Sequence, residues 1–147
     1  MIRTLASASL IALTFMASIS ARVNAQAPAP VPVAVEATPE NAAAFVGDWV
    51  LNGTGQNGPT TFALTIGAVG GKLLGEISGE AVPRQIVNGL SKVGDALTLR
   101  YDFDYQGMAI PVVLTLTPAD GKVSMAMDFA QGAYQMTGTA TKKEPAK

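Results

Sequence analysis

Between residues 46 and 141 the chain alternates apolar and polar side chains in short runs, and glycine-bearing turns interrupt it at regular intervals. A period of two places every second side chain on one face of an extended strand, whereas a helix needs a period of 3.6. The pattern therefore predicts an all-β meander. Eight strands are expected, at residues 46–52, 60–67, 72–79, 83–93, 96–105, 108–117, 122–129 and 133–141. The links between them carry turn chemistry, as in Gly70-Gly71, Gly94-Asp95, Gln106-Gly107 and Asp120-Gly121. Glycine and Asx residues there admit the positive φ that tight hairpins require. Asn88-Gly89 falls inside the fourth strand and is read as a bulge rather than a further hairpin. Pro111 removes one ladder donor from the sixth strand and places it beside an edge, a bulge or a weak seam.

One apolar face per strand and short links suit a single sheet curled around its apolar side. The expected architecture is an eight-stranded antiparallel up-and-down barrel over residues 44–142, with a two-sheet β-sandwich as the alternative. A membrane barrel shows the same alternation turned outward. Most of these strands are short of the required span, and the links are too tight for long outer loops.

Two segments lie ahead of the strands. Residues 1–25 read as a signal peptide: Arg3 precedes an apolar run over residues 5–20, and Val23-Asn24-Ala25 ends it with a cleavage pattern. The run is too short for a comfortable membrane span. Residues 26–43 hold four of the nine prolines and no glycine, which predicts an extended, disordered linker. Residues 143–147 are expected to be a disordered tail. Removing residues 1–25 takes Arg3 and Arg22, leaving 122 residues with 8 basic and 11 acidic side chains, net −3. Without a basic run, neither nucleic acid nor membrane insertion of the mature chain is expected. A periplasmic or secreted location follows from the leader.

The chain has no His and no Cys. That removes a His-based triad, a thiol nucleophile, disulfides and the usual zinc, haem and iron–sulfur ligands, so no cofactor and no enzymatic role are expected. Asp102-Phe103-Asp104 followed by Gln106-Gly107 imitates the opening of a calcium loop, but the twelfth position is Val113 rather than an acid. Its strand context makes Arg100, Asp102 and Asp104 a solvated face.

The opposite face carries Tyr101, Phe103 and Tyr105, and neighbouring strands add Met125, Met127, Phe129, Tyr134 and Met136. Together with Trp49 these are the candidate ligand-binding residues. An aromatic and methionine wall suits a small hydrophobic molecule bearing one polar group. An eight-stranded interior is just wide enough to be filled by its own side chains or to hold one small ligand, and both readings stand.

Gly47-Asp48-Trp49, opening the first expected strand with the only tryptophan, resembles the Gly-x-Trp of the calycins, which include lipocalins and avidins. The resemblance implies a ligand-binding barrel whose base is closed by the tryptophan against a basic side chain near the end of the last strand, here Lys142 or Lys143. The longer string Gly47-Asp48-Trp49-Val50-Leu51 is also similar to the small periplasmic inhibitors of bacterial metalloproteases. That similarity implies a protein partner engaged by an N-terminal arm, although those inhibitors usually carry a disulfide that this chain cannot form.

Overall fold

The computed structural model describes residues 29–144. The leader, the first residues of the linker and the last three residues of the tail lie outside that range. Ten strands follow one another: β1 (Ala34–Glu36), β2 (Gly47–Gly55), β3 (Gly58–Val69), β4 (Lys72–Gly79), β5 (Gln85–Val87), β6 (Gly89–Val93), β7 (Ala96–Tyr105), β8 (Met108–Ala119), β9 (Lys122–Phe129) and β10 (Tyr134–Lys142). All belong to one antiparallel sheet in the order β1-β6-β7-β8-β9-β10-β2-β3-β4-β5. The expected all-β meander is the fold, but the sheet is open and has ten strands rather than eight closed into a ring.

Tight hairpins make the meander. Two-residue turns at Gly70-Gly71, Gln106-Gly107 and Asp120-Gly121 take positive φ at both positions, the twist that lets the flanking strands stay paired. The alternation buries Trp49 and Leu51 of β2, Phe62, Leu64 and Ile66 of β3, and Leu73 and Ile77 of β4. Across from them lie Leu97 and Leu99 of β7, Val112, Leu114 and Leu116 of β8, and Met125, Met127 and Met136 of β9 and β10.

Two places differ from the expected outline. The fourth expected strand is no bulged strand but two short ones: β5 pairs with β4, and after Asn88 the chain turns so that β6 pairs with β7. A strand that changes partners must bend and pass close to its new neighbour. Gly89 provides the space, since a Cβ there would sit 3.0 Å from the Arg100 carbonyl oxygen. The two ends of the sheet are thus joined through a covalent corner, with no ladder between them.

The second difference lies in the segment expected to be a disordered linker. Ala34–Glu36 form an edge strand on the side of β6 that β7 leaves open, and the Ala37 N–H donates to the Leu90 carbonyl at 3.1 Å. Glu36 reaches Lys72 at the start of β4 (3.7 Å), so this stretch stands over the gap between β6 and β4. Thr38 and Asn41 hold it with reciprocal bonds: the Thr38 N–H donates to Asn41 Oδ1 (2.8 Å) and the Asn41 N–H to Thr38 Oγ1 (3.3 Å). Ala37 and Ala42 are buried, and a 3-10 turn, Ala43–Phe45, carries Phe45 into the core. The prolines forbid a central strand, yet an edge strand needs hydrogen bonds on one side only. At the other end Lys143, expected in the tail, donates its N–H to the Asp48 carbonyl at 2.8 Å and extends the β10–β2 pairing.

Candidate functional site

The nine candidate residues do not form one site. They spread along the length of the sheet, with Trp49 at one end, three methionines in the middle and five aromatic side chains at the other end. Trp49 stands opposite Lys142 in the β2–β10 register, six residues along β10 from Met136. That is about 20 Å of strand.

In the middle, Met127 faces Met136 across the β9–β10 ladder, and Met125 faces Gly138. All three methionines are buried. Met136 and Met125 lean over the neighbouring β2, where a Cβ on Gly53 would lie 2.5 Å from Met136 Sδ and 2.9 Å from Met125 Cε. The methionine level is thus packed with side chains, consistent with the adaptable, gap-filling character of the thioether.

At the aromatic end the ladders stop at unequal heights. β6 leaves β7 after Gly89 pairs with Arg100, and β9 leaves β8 after Phe129 pairs with Val112. The tip of the β7–β8 hairpin, residues 101–111, therefore continues as a two-stranded ribbon without β6 or β9 partners. Pro111 lies on this ribbon, where no β9 strand asks for its missing N–H. Tyr101 and Phe103 are half-buried and pack on the core, while Tyr105 is 50% and Met108 64% exposed. Phe103 and Tyr105 stack at 6.3 Å, tilted. Phe129 and Tyr134, paired across β9 and β10, meet edge to face at 5.4 Å and also pack against the core. A depression of about 250 Å³ at the ribbon root is bordered by Tyr101, Pro111 and Val112.

Met108 and Ile110 belong to this surface and were not among the nine residues. Counting back from the Gln106-Gly107 turn pairs Met108 with Tyr105 and Ile110 with Phe103, so hairpin register was the signal that could have found them. On the opposite face Asp104 Oδ1 accepts the Gly107 N–H at 3.1 Å, a turn bond. Among the described residues no three acidic, histidine or cysteine side chains gather where a metal ion could be held.

Burial pushes the Tyr101 hydroxyl up to about 12 from its ordinary 10. The folded state then holds this proton more tightly than the unfolded chain. Its stabilising effect is full below pH 10 and is lost as the pH rises towards 12. Tyr101→Phe lacks the titrating group, so it should lose less stability than the parent between pH 10 and 12. Denaturant midpoints measured at stepped pH test this, and parallel curves would contradict it.

At the far end Gly47 (φ +129°) admits the chain into β2, and the Trp49 indole is buried beneath two contacts. Its Nε1–H donates to the Phe45 carbonyl at 2.8 Å, and Lys142 Nζ stands 5.6 Å from the ring centroid. Lys142 also donates to the Ala44 carbonyl at 3.2 Å, tying the end of β10 to the 3-10 turn. Of the two lysines offered by the calycin likeness, Lys142 is the one over the tryptophan. The comparisons with known proteins add no relative: no family model matches the chain, and no curated protein or solved structure is similar to it.

Proposed function

We propose that the chain is an exported, non-catalytic binding module that takes a small hydrophobic molecule against the aromatic end of its sheet. The observation that carries this is the ribbon. Tyr101, Phe103, Phe129 and Tyr134 are anchored on the core, while Tyr105 and Met108 are held open beside them on strands with unpaired edges. Anchored aromatic rings present apolar area at little conformational cost, and a contiguous exposed apolar patch marks a binding surface. The buried methionines leave this end of the sheet as the more open of the two and so favour it over mid-interior in this reading. The likeness to lipocalins and avidins agrees with a ligand-binding role.

Mature protein from its native host, extracted and examined by mass spectrometry, should carry a bound apolar molecule. Anilinonaphthalene sulfonate should bind the emptied protein with enhanced fluorescence. Phe103→Ala should weaken that binding about ten-fold, the loss expected for about 1.4 kcal/mol of aromatic contact. No extracted molecule together with unchanged dye affinity in Phe103→Ala would sink the proposal.

The protease-inhibitor reading keeps one observation in its favour. Val31 and Val33 are 84% and 80% exposed on the extended stretch ahead of β1. An arm acting on a protein partner would end there, because residues 34–45 are bound into the fold.

A further inference from the structure

β9 starts at Lys122, so the end of β10 runs past it. The β9–β10 ladder ends where Val123 pairs with Ala140, although β10 continues to Lys142. A cleft of about 490 Å³ lies there, whose walls include Trp49, Val123, Ala140, Lys122 and Lys142. This volume lies in the range of small-molecule sites.

Three features of the cleft point to one kind of occupant. Trp49, Val123 and Ala140 supply an apolar floor. Lys122 and Lys142 supply two ammonium groups, neither of them in an ion pair within 4 Å among the described residues, although Asp120 and Glu144 stand close in sequence. The nearest acid in β2, Asp48, directs its carboxylate to the Thr65 hydroxyl at 2.6 Å. The third feature is backbone. The Lys143 N–H bonds to Asp48 on the β2 side. Alternation then turns the N–H and C=O of Lys142 towards β9, where the ladder has already ended. An apolar floor, two ammonium groups and an open N–H fit an anion attached to an apolar body.

We propose that this cleft is a separate binding site for a small amphipathic carboxylate, with its aryl or alkyl body on Trp49 and its carboxylate between Lys122 and Lys142. The site is at the opposite end of the sheet from the aromatic ribbon and stands or falls independently of it. Because Trp49 is the only tryptophan, its emission reports directly on the cleft.

The test titrates the mature chain with octanoate and phenylacetate, and with octanol and benzyl alcohol as neutral counterparts. Both carboxylates should change Trp49 emission saturably, and the alcohols should bind at least about ten-fold more weakly. Lys122→Ser, which leaves the Lys142–Trp49 contact in place, should weaken carboxylate binding several-fold. Lys122→Ser with Lys142→Gln should weaken it further, and added salt should act in the same direction. Phe103→Ala should leave the titration unchanged. Equal response to acid and alcohol, no saturable response, or full affinity in folded Lys122→Ser would overturn the proposal. Loss of the response in Phe103→Ala would equally overturn it by moving the site to the ribbon.

Discussion

Gly138→Ala is expected to cost about 3 kcal/mol or more, a large share of the roughly 5–15 kcal/mol that holds a domain of this size together. Gly138 of β10 pairs with Gly53 of β2 on one side and Met125 of β9 on the other. A Cβ at Gly138 would fall deep inside the van der Waals envelope of the Asn52 carbonyl oxygen, and 2.8 Å from both Asn52 C and Gly53 Cα. Every one of those atoms is backbone, so no rotamer change relieves the clash. The β2–β10 ladder itself must part. It cannot open inward at low cost, because Met136 and Met125 already occupy the space over Gly53. Gly67→Ala is the matched control: nothing lies within 4 Å of a Cβ there, and its change should stay within about 0.5 kcal/mol. Urea unfolding of both variants gives the comparison. A parent-like midpoint for Gly138→Ala would mean that β2 and β10 do not approach as described.

The same level of the sheet shows what the sequence could and could not convey. The alternation placed Met125, Met127 and Met136 on the inner face correctly, because side-chain direction is a local property of a strand. Whether an inner face is filled depends on which strands lie beside it, and the paired Gly53 and Gly138 lie 85 residues apart in the chain. Hairpins were legible for the same reason as faces: Gln106-Gly107 and Asp120-Gly121 declare their turn geometry within two residues. The ribbon was not legible, since it exists only because β6 and β9 stop pairing before β7 and β8 do. Nor was the role of residues 34–36. Three residues between prolines carry too little pattern to announce a strand, and their partner, β6, lies more than 50 residues away. Trp49 and a basic residue near the end of β10 were accessible through the calycin likeness. The cleft beside them had no sequence mark.

Deleting residues 26–43 from a chain that starts at Gln26 is expected to lower the melting temperature by more than about 10 °C, whereas deleting residues 26–33 should change it by no more than about 2 °C. The contrast follows from where the chain becomes part of the fold. Residues 29–33 contribute only exposed side chains. From Ala34 onward the longer deletion removes the β1–β6 pairing, the Ala37–Leu90 bond and the buried methyl groups of Ala37 and Ala42. It also removes the Thr38–Asn41 bonds that set the approach of the 3-10 turn, and with them the support under Phe45. Phe45 supplies both a buried ring and the carbonyl that accepts the Trp49 indole N–H. Losing a few net hydrogen bonds at about 1 kcal/mol each, with part of the burial of Phe45, amounts to about 3–4 kcal/mol. The gap beside β6 would also open, baring a strand edge and the core behind it, so the longer deletion should aggregate more readily. The pair of truncations separates two roles for this end of the chain. If the arm acts on a protein partner, the shorter deletion abolishes that effect while leaving the melting temperature intact. If residues 34–43 merely trail from a sheet that is stable without them, both deletions melt alike.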